Sequence, residues 1–304
     1  MLVLGWWLLP ITLFHLVPLS FDALSWRELV PASSRPDLFS VVWIRWIRES
    51  INSLLPVAGV GGDIAGARLA HQRGVPGSQA AASMVVDITV GVATQLIFVI
   101  AGVALLAARS SERAAVPVAW ALSMGVGLFV ALVSAFVLVQ HNSMFVAFAK
   151  LARRATPEKW LSGLTDNASA IDDAVVATYR RGFALLRANL LRLVGWAAGA
   201  GEIWLVMHFL SRPLNVTDAF VLESLSSSVR SAAFMVPGAL GALEGGLVLF
   251  GALFGLTADM ALAISLSKRV RELVLGLPGL FVWQWVEGHY LLGRGEDKAN
   301  PTPR

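Results

Sequence analysis

The sequence contains no cysteine, which excludes disulfides, thiolate nucleophiles and cysteine-ligated metals. Charge is scarce as well. Only 14% of the 304 residues are Asp, Glu, Lys or Arg, against roughly 25% in a soluble globular domain. The five histidines are scattered without a His-Glu-x-x-His spacing, so no metal and no other cofactor is expected, and a nucleotide-binding loop is missing. Apolar residues fill the place of charge: 56% of the chain is hydrophobic, 11 residues are Trp, the mean hydropathy is +0.68, and no charge falls between Ala114 and Ala149. This composition predicts an all-α, polytopic helical integral membrane protein, a single transmembrane domain over residues 1–304. It excludes most cytosolic enzymes and nucleic-acid-binding modules. The pI of 9.9 and net charge of +4 reflect basic residues between apolar segments, where orientation signals belong, and need no polyanion partner.

The N-terminal stretch MLVLGWWLLPITLFHLVPLSFDAL has neither a basic n-region nor a small-residue cleavage site, so it reads as a span and not a signal peptide. Further apolar runs cover about residues 84–108, 116–139, 193–211 and 273–292, each near the roughly 20 residues that cross hydrocarbon. About five crossings are expected. The connection from His141 to Arg192 carries Lys150, Arg153, Arg154, Lys159, Arg180, Arg181, Arg187 and Arg192, which places it on the cytoplasmic side, together with Arg68–Arg73 and the C-terminus. The loop around Arg109–Arg113 and Met1 then lie outside, and a chain starting outside leads us to expect either a further helix ahead of it or a first segment that is not a full crossing. Within about 141–190, Phe145–Leu151 and Ala174–Leu191 have the amphipathic spacing of helices lying on an anionic leaflet or forming a small helical hairpin.

Chemistry is expected where the apolar segments break. One break lies within about 40–75, in VVWIRWIRESINSLLPVAGVGGD; the other lies within about 218–256, in FVLESLSSSVRSAAFMVPGALGALEGG. In each, an Arg-bearing helix is followed by Pro (Pro56, Pro237), glycines (Gly59, Gly61 and Gly62; Gly238 and Gly241) and, seven residues after the Pro, an acid (Asp63, Glu244). A shift of 181 residues aligns the two without a gap, with only five identities in 32 positions, so the pattern and not the identity carries the likeness. With three crossings between them, the segments form an inverted repeat of two re-entrant, broken-helix hairpins. Matching Gly/Pro-broken segments in two halves point to a transporter's central site, since irregular backbone at membrane depth must line protein or a wet cavity.

Arg45, Arg48 and Asn52 share one helical face, with Glu49 one turn from Arg45; Glu223, Ser227 and Arg230 share another. An arginine fork suits phosphate or carboxylate, and one at membrane depth costs about 2.5–3.5 kcal/mol, so it needs partners or water. The candidate substrate-binding residues are therefore Arg48, Glu49, Asn52, Asp63, Glu223, Arg230, Glu244, Lys268 and Arg271, with Pro56, Gly61, Gly62, Pro237, Gly238 and Gly241 as structural breaks. Against this stand plainer roles: arginines that snorkel or pair structurally, acids that cap helix starts, and a Lys268–Glu272 pair one turn apart. Asp87 and Glu202 lie in apolar spans, where a basic partner is the expectation. Trp6, Trp7, Trp26, Trp43, Trp46, Trp283 and Trp285 read as interfacial belt residues.

WIRESINSLLPVAGVGGDIAGARLAHQRGVPGSQAAASMVVD, VPGALGALEGG and SKRVRELVLGLPGL together resemble the hopanoid-biosynthesis-associated HpnL-type membrane proteins, within the group that shares the transmembrane, flippase-type region of lysylphosphatidylglycerol synthases. The resemblance implies a lipid-handling protein that is not an enzyme: a translocase for a hopanoid or phospholipid, with hopanoid-synthesis or export proteins as partners and no nucleic acid. Family members usually begin with another hydrophobic helix. No aminoacyl-transferase domain follows Arg304, so lysyl transfer is not expected. The alternatives are a lipid-modifying transferase with Asp63 or Glu244 as base, and a scaffold that docks partners on the basic surface from Lys150 to Arg187.

Overall fold

The computed structural model describes residues 5–55, 61–108, 161–233 and 239–299. Every element among them is helical. The expected crossing at 116–139, much of the 141–190 connection, the Arg109–Arg113 loop, Pro56, Gly59, Pro237 and Gly238 lie outside the described residues.

The N-terminal apolar stretch is interrupted, giving α1 (Leu8–Phe14) and α2 (Leu16–Leu29) on either side of His15. Pro18 explains the break, because it has no N–H to return to the Phe14 carbonyl and its ring crowds that turn. Helix α3 (Leu38–Leu54) starts on Asp37, whose carboxylate accepts from the Ser40 N–H at 3.1 Å, a regular N-cap. The Ser40 hydrogen bonds hold the exposed Asp37 carboxyl below its usual pKa. Then follow α4 (Gly61–Gln72) and α5 (Gly77–Ala107), and in the second half α6 (Leu161–Tyr179), α7 (Gly182–Phe209), α8 (Val216–Ala232) and α9 (Ala242–Gly251). The chain closes with α10 (Ala258–Ala299), 42 residues long with Pro278 inside. The Trp46 indole N–H donates to the Leu275 carbonyl beside that proline at 2.8 Å.

Among the described residues, three stretches are long and apolar enough to cross a bilayer: Gly5–Leu29, Gly77–Ala108 and Gly182–Phe209. The 273–292 run is not among them; it is part of α10, which at about 1.5 Å per residue is far longer than a bilayer is thick. Nor does Ala174–Leu191 form one amphipathic helix, because the chain breaks at Arg180 and Arg181 and α7 runs on into an apolar span. Arg181 explains the docking there: its guanidinium donates to the Leu29 and Val30 carbonyls at the end of α2, which helix geometry leaves unsatisfied.

Two apolar cores sit around the two breaks. Trp26, Ile44, Ile47, Ile51, Leu69 and Met84 join α2, α3, α4 and α5, while Ile11, Ile203, Met207, Leu222, Leu243 and Ile264 join α1, α7, α8, α9 and α10. Trp26 is fully buried and donates to Ser83 at 3.1 Å, so it belongs to the core and not to an interfacial belt; Trp6, Trp7 and Trp285 are exposed. Outward faces carry Leu9, Leu13, Ile97, Ile100, Leu190, Leu249, Leu262 and Phe281, an apolar coat that a soluble protein would not tolerate.

Helix α4 packs close to α3 because it presents glycine. A Cβ on Gly66 would lie 2.5 Å from Arg48 Cδ and 3.0 Å from Met84 Cε, whereas one on Gly245 of α9 would meet nothing within 4 Å. Arg48 is fixed by its ion partners and cannot give way. Gly66→Ala is therefore expected to cost about 1–3 kcal/mol, seen as a lower thermal transition in detergent, with Gly245→Ala at or above wild type; an unchanged transition for Gly66→Ala contradicts the close approach.

Candidate functional site

The break at His15 turns its ring inward, between α3 and α7. Nε2 lies 2.7 Å from Glu49 Oε1 and Nδ1 lies 2.5 Å from Glu202 Oε1. Beside it is a cavity of about 390 Å³ lined by His15, Pro18, Leu19, Asp22, Arg45, Glu49, Gln95, Phe98, Gly195, Trp196, Gly199, Glu202, Glu223, Ser227, Arg230, Ser231, Leu243, Lys268 and Arg271. Helices α2, α3, α5, α7, α8, α9 and α10 contribute. Phe98 stands edge-on to Trp196 and to Phe220, so one wall is aromatic and the others are charged. Gln95 of α5 ties that helix to the serine stripe of α8, donating to Ser227 at 3.1 Å and accepting from Ser231 at 3.2 Å.

The charges form connected pairs. Arg48 donates to Asp63 and, at 2.7 Å, to Asp87; Asp87 is shared with Arg192, which also donates to the Asp87 carbonyl at 2.7 Å. Arg45 donates to Asp22 at 2.7 Å and stands 3.9 Å from Glu49. Arg271 donates to Glu202, Lys268 to Glu223 at 2.5 Å, and Arg230 reaches Glu272 at 2.9 Å. Arg269 holds Glu244 at 3.1 Å and Glu272 at 3.0 Å. Asp87 and Glu202 thus have the basic partners that an apolar span demands.

The residues expected at a site divide into two groups. Glu49, Glu223, Arg230, Lys268 and Arg271 line the cavity. Arg48, Asn52, Asp63 and Glu244 do not. Arg48 is 2% exposed because two carboxylates close around it, so it fastens α3 to α4 and α5 away from the cavity lining. Asn52 Oδ1 accepts from the Gly62 N–H at 2.8 Å and caps the start of α4. Glu244 accepts from the Gly241 N–H at 2.7 Å and from Ser265 at 2.9 Å, closing the turn in which Gly241 takes a φ of +81°, a conformation glycine enters without strain. Lys268 pairs across to α8 and not with Glu272, whose partners are arginines.

The site also contains His15, Asp22, Gln95 and Trp196, which the motif reading passed over, and Arg45 and Glu202, which it noted without placing them at a binding site. Arg192, counted by sequence among the basic residues of a connection, is instead 4% exposed and paired with Asp87. A histidine and an aspartate inside the N-terminal apolar run were the available signal, since ionisable groups in a span mark function or pairing. Among the described residues no group of His, Asp and Glu is placed to hold a metal. The cavity offers a balanced set of donors and acceptors beside an aromatic wall, which suits binding a polar group attached to an apolar body.

Residues 3–279 match the family of the lysylphosphatidylglycerol synthase TM region. The chain belongs to that family. It is therefore a membrane protein of a lipid-related family, and the match covers both broken segments and every residue that lines the cavity. No curated protein and no solved structure matches it.

Asp87 is the acid on which two buried guanidinium groups depend. Asp87→Asn leaves Arg48 and Arg192 short of a counter-charge, which in a buried pair costs about 3–5 kcal/mol. The variant should unfold at markedly lower temperature or denaturant in detergent; a transition matching wild type would show that the pairing is not structural.

Proposed function

We propose that this protein moves a polar-headed membrane lipid, a hopanoid or a related lipid, between leaflets of a bacterial inner membrane, with the head in the cavity and the tails in hydrocarbon. The observation that carries this reading is the partly open, charged cavity of about 390 Å³ among helices whose outer faces are apolar. That volume is at the low end of the about 300–1,000 Å³ of ligand pockets, room for a head and not for a whole lipid. Its fixed charges balance, with Arg45, Arg230, Lys268 and Arg271 facing Asp22, Glu49, Glu202 and Glu223. Such a lining favours a hydroxylated, aminated or zwitterionic head over a multiply anionic one.

Packing supports the inverted repeat in this reading. Helix α3 contacts α10 and α8 contacts α5, so the first helix of each broken pair docks on the long helix of the other half, while α4 contacts α5 and α9 contacts α10 within their own halves. The ion pairs tie each broken segment instead to the long helix of its own half: Arg48 reaches Asp87 on α5 and Arg230 reaches Glu272 on α10. Rocking of two such halves about a fixed site is the usual route to alternating access. Orientation, with 141–192 and the C-terminus cytoplasmic, and partnership with hopanoid-synthesis or export proteins belong to the same proposal. The reading has no covalent step. Asp63 and Glu244, the acids a transferase would need as base, are each held by an arginine, which weighs against that alternative.

Reconstituted protein should carry a labelled lipid across vesicle membranes without changing it chemically. Arg230→Ala is expected to slow this at least tenfold while keeping near-native thermal stability, because its side chain is 37% exposed. Arg48→Ala should instead lower stability. A chemically modified lipid in the assay contradicts the translocase and supports a transferase; neither movement nor modification supports the scaffold.

A further inference from the structure

We infer that the Glu49–His15–Glu202 triad is a proton-binding site on the cavity wall, and that a lipid bearing a protonated amine in its head competes with that proton. The inference rests on the lipid-binding role of the cavity and adds to it the class of head and the coupled ion.

The geometry is specific. Both ring nitrogens of His15 lie within hydrogen-bond distance of a carboxylate, at 2.5 and 2.7 Å. A neutral imidazole has one N–H and can donate to only one of them. With both acids ionised, the two contacts are hydrogen bonds only when the ring carries two protons. A second partner serves the other state: Arg271 Nη1 lies 3.1 Å from Nδ1 and can donate to that nitrogen once its proton has left, while Nε2–H still donates to Glu49. The ring thus has partners in both states without turning, and Arg271 remains on Glu202 in both.

The surrounding charges decide what loss of the proton does. Glu49 and Arg45 face the ring from α3, Glu202 from α7, and Arg271, Lys268 and Glu272 from α10; across the cavity stand Asp22 on α2 and Glu223 and Arg230 on α8. Glu202 has Arg271 at hand in either state. Glu49 does not, because its nearest fixed cation, Arg45, is 3.9 Å away and is committed to Asp22. Its side chain is also 31% exposed, against 4% for Glu202. When the imidazolium gives its proton to cavity water, Glu49 becomes the carboxylate with an uncancelled charge facing the cavity. A lipid ammonium replaces the lost positive charge there, so binding the lipid releases a proton and binding a proton expels the lipid.

The test measures binding apart from transport. Affinity of the whole protein in detergent is determined between pH 5.5 and 8.5, as about the range in which histidine titrates, for a short-chain fluorescent phosphatidylethanolamine and for the matching phosphatidylglycerol. One proton released per lipid gives a slope approaching about tenfold per pH unit for the amine-headed lipid, with no such rise for phosphatidylglycerol. His15→Gln should flatten the slope, and Glu49→Gln should both flatten it and lower the affinity; if His15→Gln does not fold, Glu49→Gln decides in the same way. A flat wild-type slope, or one that survives in these variants, overturns the proton site. The same protein in vesicles separates the two claims. Lipid that crosses with no pH-dependent binding leaves translocation standing and removes the proton site, whereas pH-dependent binding without crossing does the reverse.

Discussion

A guanidinium group cannot be left alone in a low-dielectric interior, and the whole architecture follows from satisfying that demand. Ion pairs within 4.0 Å run without interruption from Asp63 through Arg48, Asp87, Arg192, Asp22, Arg45, Glu49, His15, Glu202, Arg271, Glu272 and Arg269 to Glu244. The two ends of this chain are the acids that follow the two helix breaks. Each break therefore delivers a carboxylate to the network, and the helices cannot separate without stranding charge.

The links are not equally tight. Arg48 and Arg271 sit directly on their carboxylates, while Arg45–Glu49 at 3.9 Å and Arg271–Glu272 at 4.0 Å are the widest. Glu49, Arg45 and Arg271 are also cavity residues. The network is thus closed where it fastens helices and open where a polar head could enter, which separates the stabilising arginine of the first motif from the cavity-facing arginine of the second. Two motifs alike in sequence thus place their arginines differently, one shut between carboxylates and one at the cavity.

Much of the helical class was legible in composition, because hydrocarbon as solvent leaves a coarse signature: few charges, long apolar runs, and acids confined to places with partners. The stripe of Glu223, Ser227 and Arg230 was legible too, since local helical spacing decides it. What spacing could not decide is which stripe meets which. Arg45 and Arg48 are neighbours on α3, yet one turns to Asp22 on α2 and the other to Asp63 and Asp87. His15 meets Glu202 across 187 positions of chain, a pairing that no window around a motif contains. The α6–α7 boundary was missed for a related reason: helical periodicity on both sides of Arg180 and Arg181 hid a turn held by contacts with the distant end of α2.

A cavity with balanced charges, one aromatic wall and an apolar exterior joins these observations to a membrane lipid family. The most direct measurement is photolabelling with a lipid whose diazirine is in the headgroup, followed by peptide mapping. Adducts on the cavity face of α8, from Glu223 to Ser231, and on α7 near Trp196, reduced by unlabelled lipid, are the predicted result. Adducts confined to the outward leucines of α1, α5 and α10, with none on cavity residues, would contradict a headgroup site between the two broken motifs.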